Sequence, residues 1–194
     1  MTCRILAIAA AGVAALFLSG CGGESKRVLL ADFDFTSSRE TVFSSRFGLS
    51  TGLHWFADGF TARENDGIWT VGAEATIFLY TLGRNVVLDL DLGTRPFLSQ
   101  DGQHVTVRWN GHDLGEYPVD RGWDAQTVTV IVPDEAVHAG LNEVVLSPRL
   151  HPGGEDVPAG TEDRRPLGVF LRGLRVDAEL DGGQQRRWTC PVSY

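Results

Sequence analysis

The chain has 194 residues, with 17 basic and 25 acidic side chains and a formal net charge of −8. This acidic balance argues against nucleic acid as a partner, because phosphates are bound by clusters of lysine and arginine. It argues equally against an additional electrostatic contact with anionic lipid.

Residues 1–20 have the layout of an export signal. Arg4 places a positive charge near the start, an uncharged apolar run extends from Ile5 to Leu18, and two small residues precede Cys21. The Leu18-Ser19-Gly20-Cys21 ending resembles the lipobox of bacterial lipoproteins. The resemblance implies cleavage before Cys21, a diacylglyceryl thioether on its sulfur and an acylated new N-terminus.

Two other interpretations of this segment remain. An uncleaved membrane anchor needs about 20 apolar residues, but Ile5 to Leu18 is shorter and has no basic stop after it. A secreted protein without lipid is the third possibility. We expect a domain outside the cytoplasm, tethered to a membrane. In Gram-negative lipoproteins, an aspartate directly after the lipidated cysteine resembles a signal for retention in the inner membrane. This chain has Gly22 at that position, which favours the outer membrane if this cell has one.

The sequence predicts four parts: a cleaved signal (1–20), a tether (21–27), a β-sandwich domain (28–181) and a C-terminal tail (182–194). Arg4 is the only charge in the signal, so the remaining 174 residues carry a net charge of −9 and suffice for one domain with a core. Cys3 leaves with the signal and Cys21 takes the lipid. Cys190 is then a reactive thiol, an intermolecular bridge or a tail residue without a role.

Alternation of apolar and polar residues predicts β-strands along most of the remaining chain. The apolar positions of the successive strands are Phe33 and Phe35; Ala73, Ala75, Ile77 and Leu79; Leu88, Leu90 and Leu92; Val105, Val107 and Trp109; Val128, Val130 and Val132; Val144 and Leu146; and Val176, Ala178 and Leu180.

Turn residues separate these strands. Asn110-Gly111 predicts a tight hairpin, Gly173 is expected to break the run from Leu167 to Leu180, and residues 133–138 could form one helical turn. Many short strands without longer helices predict an all-β fold, with two antiparallel sheets face to face or a jelly roll. Residues 44–71 and 151–166 are predicted as long connections, which are often functional and could meet.

Four segments resemble a known group of β-sandwich domains in bacterial cell-envelope proteins, including domains attached to membrane glycosyltransferases. The segments are Glu64–Ala75 (E-x-x-G-x-W), Val105–Gly115 (V-x-V-x-x-N-G), Leu141–Val144 (L-N-x-V) and Asp163–Val169 (D-x-R-x-L-G-V). The resemblance implies a galactose-binding-like, carbohydrate-module-like jelly roll. It does not name a ligand, because this fold hosts sugar binders, lipid binders and spacers.

Indole rings can stack on sugar rings, and acidic and arginine side chains can bind hydroxyl groups. The candidate ligand-binding residues of these two kinds are Trp55, Trp69 and Trp123, and Glu64, Asp66, Asp163 and Arg165. Trp69 could instead be a core residue between the sheets, with Glu64 and Arg165 as a buried ion pair joining two loops. Trp109 alternates with polar residues and is predicted to lie in the core.

Neither a metal centre nor an active site is apparent from the sequence. Asp32 and Asp34, like Asp89 and Asp91, could bind calcium but are predicted to lie on solvated strand faces. Gly-x-Ser-x-Gly and zinc-ligand spacings are absent, and we expect neither an enzyme nor a cofactor. The sequence predicts a lipid-anchored envelope module that binds a glycan or envelope component, or alternatively an assembly subunit that holds a protein partner.

Overall fold

The computed structural model describes residues 25–35, 56–94, 102–120, 124–150 and 166–184. These residues form nine β-strands, one short 3₁₀ turn and, at residues 182–184, a helical turn. The strands and the 3₁₀ turn are, in chain order, β1 (Lys26–Asp34), β2 (Ile68–Val71), β3 (Ala75–Thr81), β4 (Arg84–Gly93), β5 (Gln103–Trp109), β6 (His112–Val119), β7 (Gln126–Ile131), the 3₁₀ turn (Asp134–Ala136), β8 (Gly140–Pro148) and β9 (Leu167–Leu180). In this part of the chain, no helix has the length and apolarity that crossing a bilayer requires.

The strands form two antiparallel sheets. Sheet A has the order β1-β9-β4-β7, with β2 pairing further along β9, and sheet B has the order β3-β8-β5-β6. Apart from β2, the strands therefore pair in a nested order, with β1 beside β9, β3 beside β8, β4 beside β7, and β5 beside β6. This nesting is that of an antiparallel ribbon rolled into a jelly roll, so the predicted all-β sandwich is confirmed.

The predicted apolar faces form the core between the sheets, except at Ala73, which lies before β3 and is exposed. In β3, β4, β5 and β7, residues on one side of the strand are buried while most of their neighbours are partly or fully exposed. In β5, for example, Val105, Val107 and Trp109 have no exposed surface. This follows from the two-residue period of strands, which turns every second side chain towards the opposite sheet. The core position predicted for Trp109 is confirmed. The turn at Asn110-Gly111 also forms as predicted, with φ of 48° and 80°.

The two ends of the sandwich differ, and we name them by their strand termini. The hairpin end holds the strand ends joined by short turns or by the 3₁₀ turn, at Thr81, Arg84, Trp109, His112, Ile131 and Gly140. It also holds the start of β1 at Lys26 and the end of β9 at Leu180, which pair with each other. The loop end holds the opposite termini of these strands, at Gly93, Gln103, Val119, Gln126, Pro148 and Leu167.

Asn142 closes the core at the hairpin end. Its Oδ1 accepts hydrogen bonds from Trp109 Nε1 (3.2 Å), Asn110 Nδ2 (2.7 Å) and the His138 amide (2.8 Å). Its Nδ2 donates to Thr81 Oγ1 and to the carbonyls of His138 and Gly140, each at 2.8 Å. The N-G and L-N segments of the resemblance therefore meet at one buried amide.

Two expectations about local structure are wrong. Gly173 does not break the last strand, since β9 runs without interruption from Leu167 to Leu180. The pairing of β9 with β4 changes register beside Gly173, because Asp91 lies opposite Gly173 but the next residue, Leu92, lies opposite Leu171. Arg172 is therefore an extra residue in a β-bulge. The bulge lets residues on both sides of it face the core.

The predicted connection 44–71 also contains ordered structure from residue 56 onwards. Phe56 bridges to Ile77, and its ring lies 5.2–5.5 Å from the rings of Phe33, Phe35 and Phe60. The segment ends in β2, which pairs with β9 beyond the point where β1 stops. Clustered aromatic side chains hold this part of the chain against the sandwich, although its sequence lacks regular alternation.

Candidate functional site

The candidates from the sequence fall into two groups. Glu64, Asp66 and Trp69 belong to the described structure, in and just before β2. The other candidate ligand-binding residues, Trp55, Trp123, Asp163 and Arg165, lie outside the described residues, as do Cys21 and Cys190.

Trp69 is buried, with 3% of its surface exposed, but it does not lie between the two sheets. Its neighbour Ile68 faces the main core, whereas Trp69 packs on the opposite side of sheet A with Phe170 and Leu167. The rings of Trp69 and Phe170 are 4.7 Å apart and tilted by 42°. The indole leaves no open face for stacking, and its expected position between the sheets is corrected to a second, smaller core on the outer side.

This second core depends on Gly67. A Cβ atom at Gly67 would lie 2.6 Å from both the ring of Phe170 and the carbonyl oxygen of Leu171. Only glycine lets the chain before β2 pass this close to β9. The E-x-x-G-x-W and L-G-V segments of the resemblance thus meet as well, because β2 pairs with the start of β9.

Asp66 forms an ion pair with Arg172, which the sequence analysis did not predict. Arg172 Nη2 lies 3.1 Å from Asp66 Oδ2, and the guanidinium carbon lies 5.8 Å from the ring centroid of Phe170. Because the Asp66 side chain is 48% exposed, this ion pair contributes at most about 1 kcal/mol to the stability of the fold. Sequence reasoning missed Arg172. Its signal was a charged residue interrupting the apolar run from Leu167 to Leu174.

Glu64 is exposed, and its backbone amide donates to the Gly67 carbonyl at 2.9 Å, closing the turn before β2. Its predicted ion-pair partner, Arg165, lies outside the described residues. Glu64 and Asp66 therefore lie beside β9, at the edge where β1 ends and β2 begins.

The loop end has a different character. The strand termini that flank residues 95–101, 121–123 and 151–165 all lie there, and these intervals contain Trp123, Asp163 and Arg165. Two polar side chains, Thr94 and Gln103, are completely buried at this end. Within the described structure, Thr94 Oγ1 and Gln103 Nε2 have no hydrogen-bond partner. Buried groups of this kind usually bind water or another polar molecule.

The aspartates of β1 and β4 lie on the outer face of sheet A, as predicted. Thr127 donates to Asp91 Oδ1 and Thr129 donates to Asp89 Oδ1, both at 2.7 Å. Arg175 stands between the two strands, and its hydrogen bond to Asp177, together with nearby acidic charges, raises its pKa. Among the described residues, no three His, Cys, Asp or Glu side chains are grouped as metal ligands.

No family model and no curated protein matches the chain. Several solved structures are similar to the chain at low sequence identity. The CBM36-1 domain of a multidomain xylanase from the hindgut metagenome of Trinervitermes trinervoides has 12% identity and a TM-score of 0.40, over 78% of this chain and 95% of that one. A family 35 carbohydrate-binding module from an environmental isolate has 16% identity and a TM-score of 0.38, over 82% and 96%.

Dimeric latent PorU from Porphyromonas gingivalis has 9% identity and a TM-score of 0.44, and the match covers 84% of this chain but 14% of that one. The structural neighbours thus include carbohydrate-binding modules and a part of a larger protein. The assignment of the jelly roll itself rests on the strand pairing described above.

Proposed function

We propose that this protein is a lipid-anchored module of the cell envelope that binds a glycan or another envelope component at its loop end. One observation carries the proposal. The flanks of three connections converge at the loop end, where Thr94 Oγ1 and Gln103 Nε2 are buried and have no hydrogen-bond partner among the described residues. A ligand rich in hydroxyl groups supplies both donors and acceptors for such atoms.

The candidate residues divide into contacts and supports. Trp123, Asp163 and Arg165 belong to connections that start and finish at the loop end, so they are the proposed contacts there. Trp55 precedes the bridge at Phe56 and is a second proposed platform. Trp69 takes a supporting role, because its buried indole orders the chain before β2.

Binding without catalysis is the proposed activity. Glycan binding by a module of this kind needs shape, stacking and hydrogen bonds, without a nucleophile or an acid–base pair. The lipid on Cys21 keeps the module at the membrane, where stable anchoring requires more than one acyl chain.

The proposal is tested with a glycan array and the purified Cys21→Ser protein, which lacks the lipid. We expect a selective hit, with the affinity for it reduced at least about tenfold, or about 1.4 kcal/mol, by Trp123→Ala or Trp55→Ala. Tyr80→Ala is the matched control, because Tyr80 is an exposed aromatic residue near the hairpin end and should leave the affinity unchanged. Near-UV circular dichroism verifies that each variant is folded.

If the array shows no glycan binding and the protein instead crosslinks to one envelope protein in cells, the result supports the assembly role in place of this proposal. A hit that Tyr80→Ala abolishes and the tryptophan variants retain would move the binding surface away from the loop end.

A further inference from the structure

The large hydrophobic side chains that the described structure exposes lie in the half of the sandwich nearest the hairpin end. They are Leu29 (42% exposed), Tyr80 (38%), Ile131 (73%) and Leu141 (59%). Ile131 is the last residue of β7, Leu141 is the second of β8, and Tyr80 is the last but one of β3. Single exposed apolar residues are common on protein surfaces, so their shared location is the informative feature.

These side chains occupy both outer faces of the sandwich. In sheet A, Leu29 pairs with Asp177, Asp177 with Val87, and Val87 with Ile131, which places Leu29 and Ile131 in one row across the strands. In sheet B, Tyr80 pairs directly with Leu141. We call these four residues the apolar collar, because they lie at a similar height on opposite sides of the same end.

The length of the tether relates this end to the proposed anchor. Only residues 22–25 separate Cys21 from Lys26, the first residue of β1 at the hairpin end. A fully extended chain spans at most about 3.6 Å per residue, so Lys26 lies within about 18 Å of Cys21. The 14 residues of β9 extend over about 46 Å, at about 3.3 Å per residue. A lipid on Cys21 therefore holds the hairpin end near the bilayer and leaves the loop end free to point away.

We propose that the apolar collar rests in the interfacial region of the membrane that carries the anchor, with the loop end directed away from that membrane. This inference rests on the proposed lipidation of Cys21. Charges at the hairpin end favour zwitterionic headgroups, because exposed basic and acidic residues are mixed there, with Lys26, Arg27 and Arg84 beside Asp134, Glu135 and Asp181. Partial immersion of apolar side chains supplies the attraction that net charge does not.

The test uses the full-length lipidated protein in a Cys190→Ser background, reconstituted into phosphatidylcholine vesicles. Single labelling sites are introduced by Ala139→Cys near the hairpin end and by the matched Ala125→Cys at the loop end, since both alanines are exposed. Each site carries a fluorophore, and a small fraction of lipid carries a nitroxide on its headgroup. We expect the label at residue 139 to be quenched at least about threefold more than the label at residue 125.

A second pair of variants tests the collar itself. Combining Ile131→Ser with Leu141→Ser should reduce quenching at residue 139 at least about twofold, because the end loses its apolar contacts with lipid. Thr129→Ser is the control, since it keeps the hydroxyl that donates to Asp89 and should change nothing. Unchanged quenching in the double variant would overturn the collar as the contact.

Mass spectrometry of the same preparation separates the two proposals. Acylated Cys21 together with equal or reversed quenching at the two sites overturns the orientation and leaves the anchor intact. An unmodified Cys21 overturns the anchor, and the orientation falls with it because the short tether no longer constrains the domain.

Discussion

Replacing Asn142 with alanine should destabilise the domain more than its single side chain suggests. Asn142 is 1% exposed, and three donors surround its Oδ1 while three acceptors surround its Nδ2. This arrangement fixes which way the amide points. Alanine would remove the hydrogen-bond partner of Trp109 Nε1, which belongs to a side chain without exposed surface. It would also release the His138 amide.

The cost can be worked out from these two groups. Leaving a buried donor without a partner costs about 1–3 kcal/mol. The indole N–H of Trp109 is such a donor, whereas the His138 amide is part-buried and costs less, so the two together cost about 3 kcal/mol. Asn110 Nδ2 keeps its bond to the Ala136 carbonyl, and Thr81 Oγ1 keeps its bond to the His138 carbonyl, which limits the total. For a domain of this size, 1 kcal/mol shifts Tm by about 2–4 °C, so we expect Tm to fall by about 6–12 °C.

Urea and thermal unfolding followed by tryptophan fluorescence measure this loss. Asn65→Ala is the control, because Asn65 is exposed and should change stability by less than about 0.5 kcal/mol. Asn142→Asp should cost at least as much as alanine, since a carboxylate oxygen would face the carbonyls of His138 and Gly140. An Asn142→Ala loss below about 1 kcal/mol would refute the view that this amide closes the core.

Two other perturbations test the second core and a perturbed phenol. Gly67→Ala should lower the free energy of unfolding by about 1–3 kcal/mol, because its Cβ would overlap the ring of Phe170. Gly182→Ala is the control and should change this free energy little, since a Cβ there would contact no atom of the described residues within 4 Å. Burial and, to a smaller extent, the charge of Asp113 raise the pKa of Tyr117. The neutral phenol therefore stabilises the fold below pH 10, and this contribution to stability is lost as the pH rises through the raised pKa. Asp113→Asn should lower that pKa in an ultraviolet titration, and an unchanged midpoint would contradict the charge contribution.

The sequence predicted the sheet faces well because burial in a strand repeats every two residues. Val105, Val107 and Trp109 could be assigned to the core from this period alone. Strand pairing was beyond such reasoning, since β2 and β9 are separated by about a hundred residues and local pattern carries no information on which distant strands meet.

The faces of β2 were equally hidden. Ile68 and Trp69 are adjacent and both apolar, so alternation could not tell which of them faces the main core. The structure buries both, on opposite sides of sheet A. Gly173 was misjudged for a related reason. Glycine is typical of strand breaks, yet here it fits a bulged strand, where a Cβ would lie 2.9 Å from Asp91 Oδ2.

The division between the two ends separates the residues that stabilise the fold from the connections that we propose to bind a ligand. At the hairpin end, Asn142 ties three neighbouring segments to the core through short turns, so changes there affect stability. At the loop end, the connections leave from strands that are already fixed by their pairing, so their sequences can differ at little cost to the core. Substitutions of Asn142 and of Trp123 should therefore separate, with the first lowering Tm and the second lowering ligand affinity, and a single variant that did both would contradict this division.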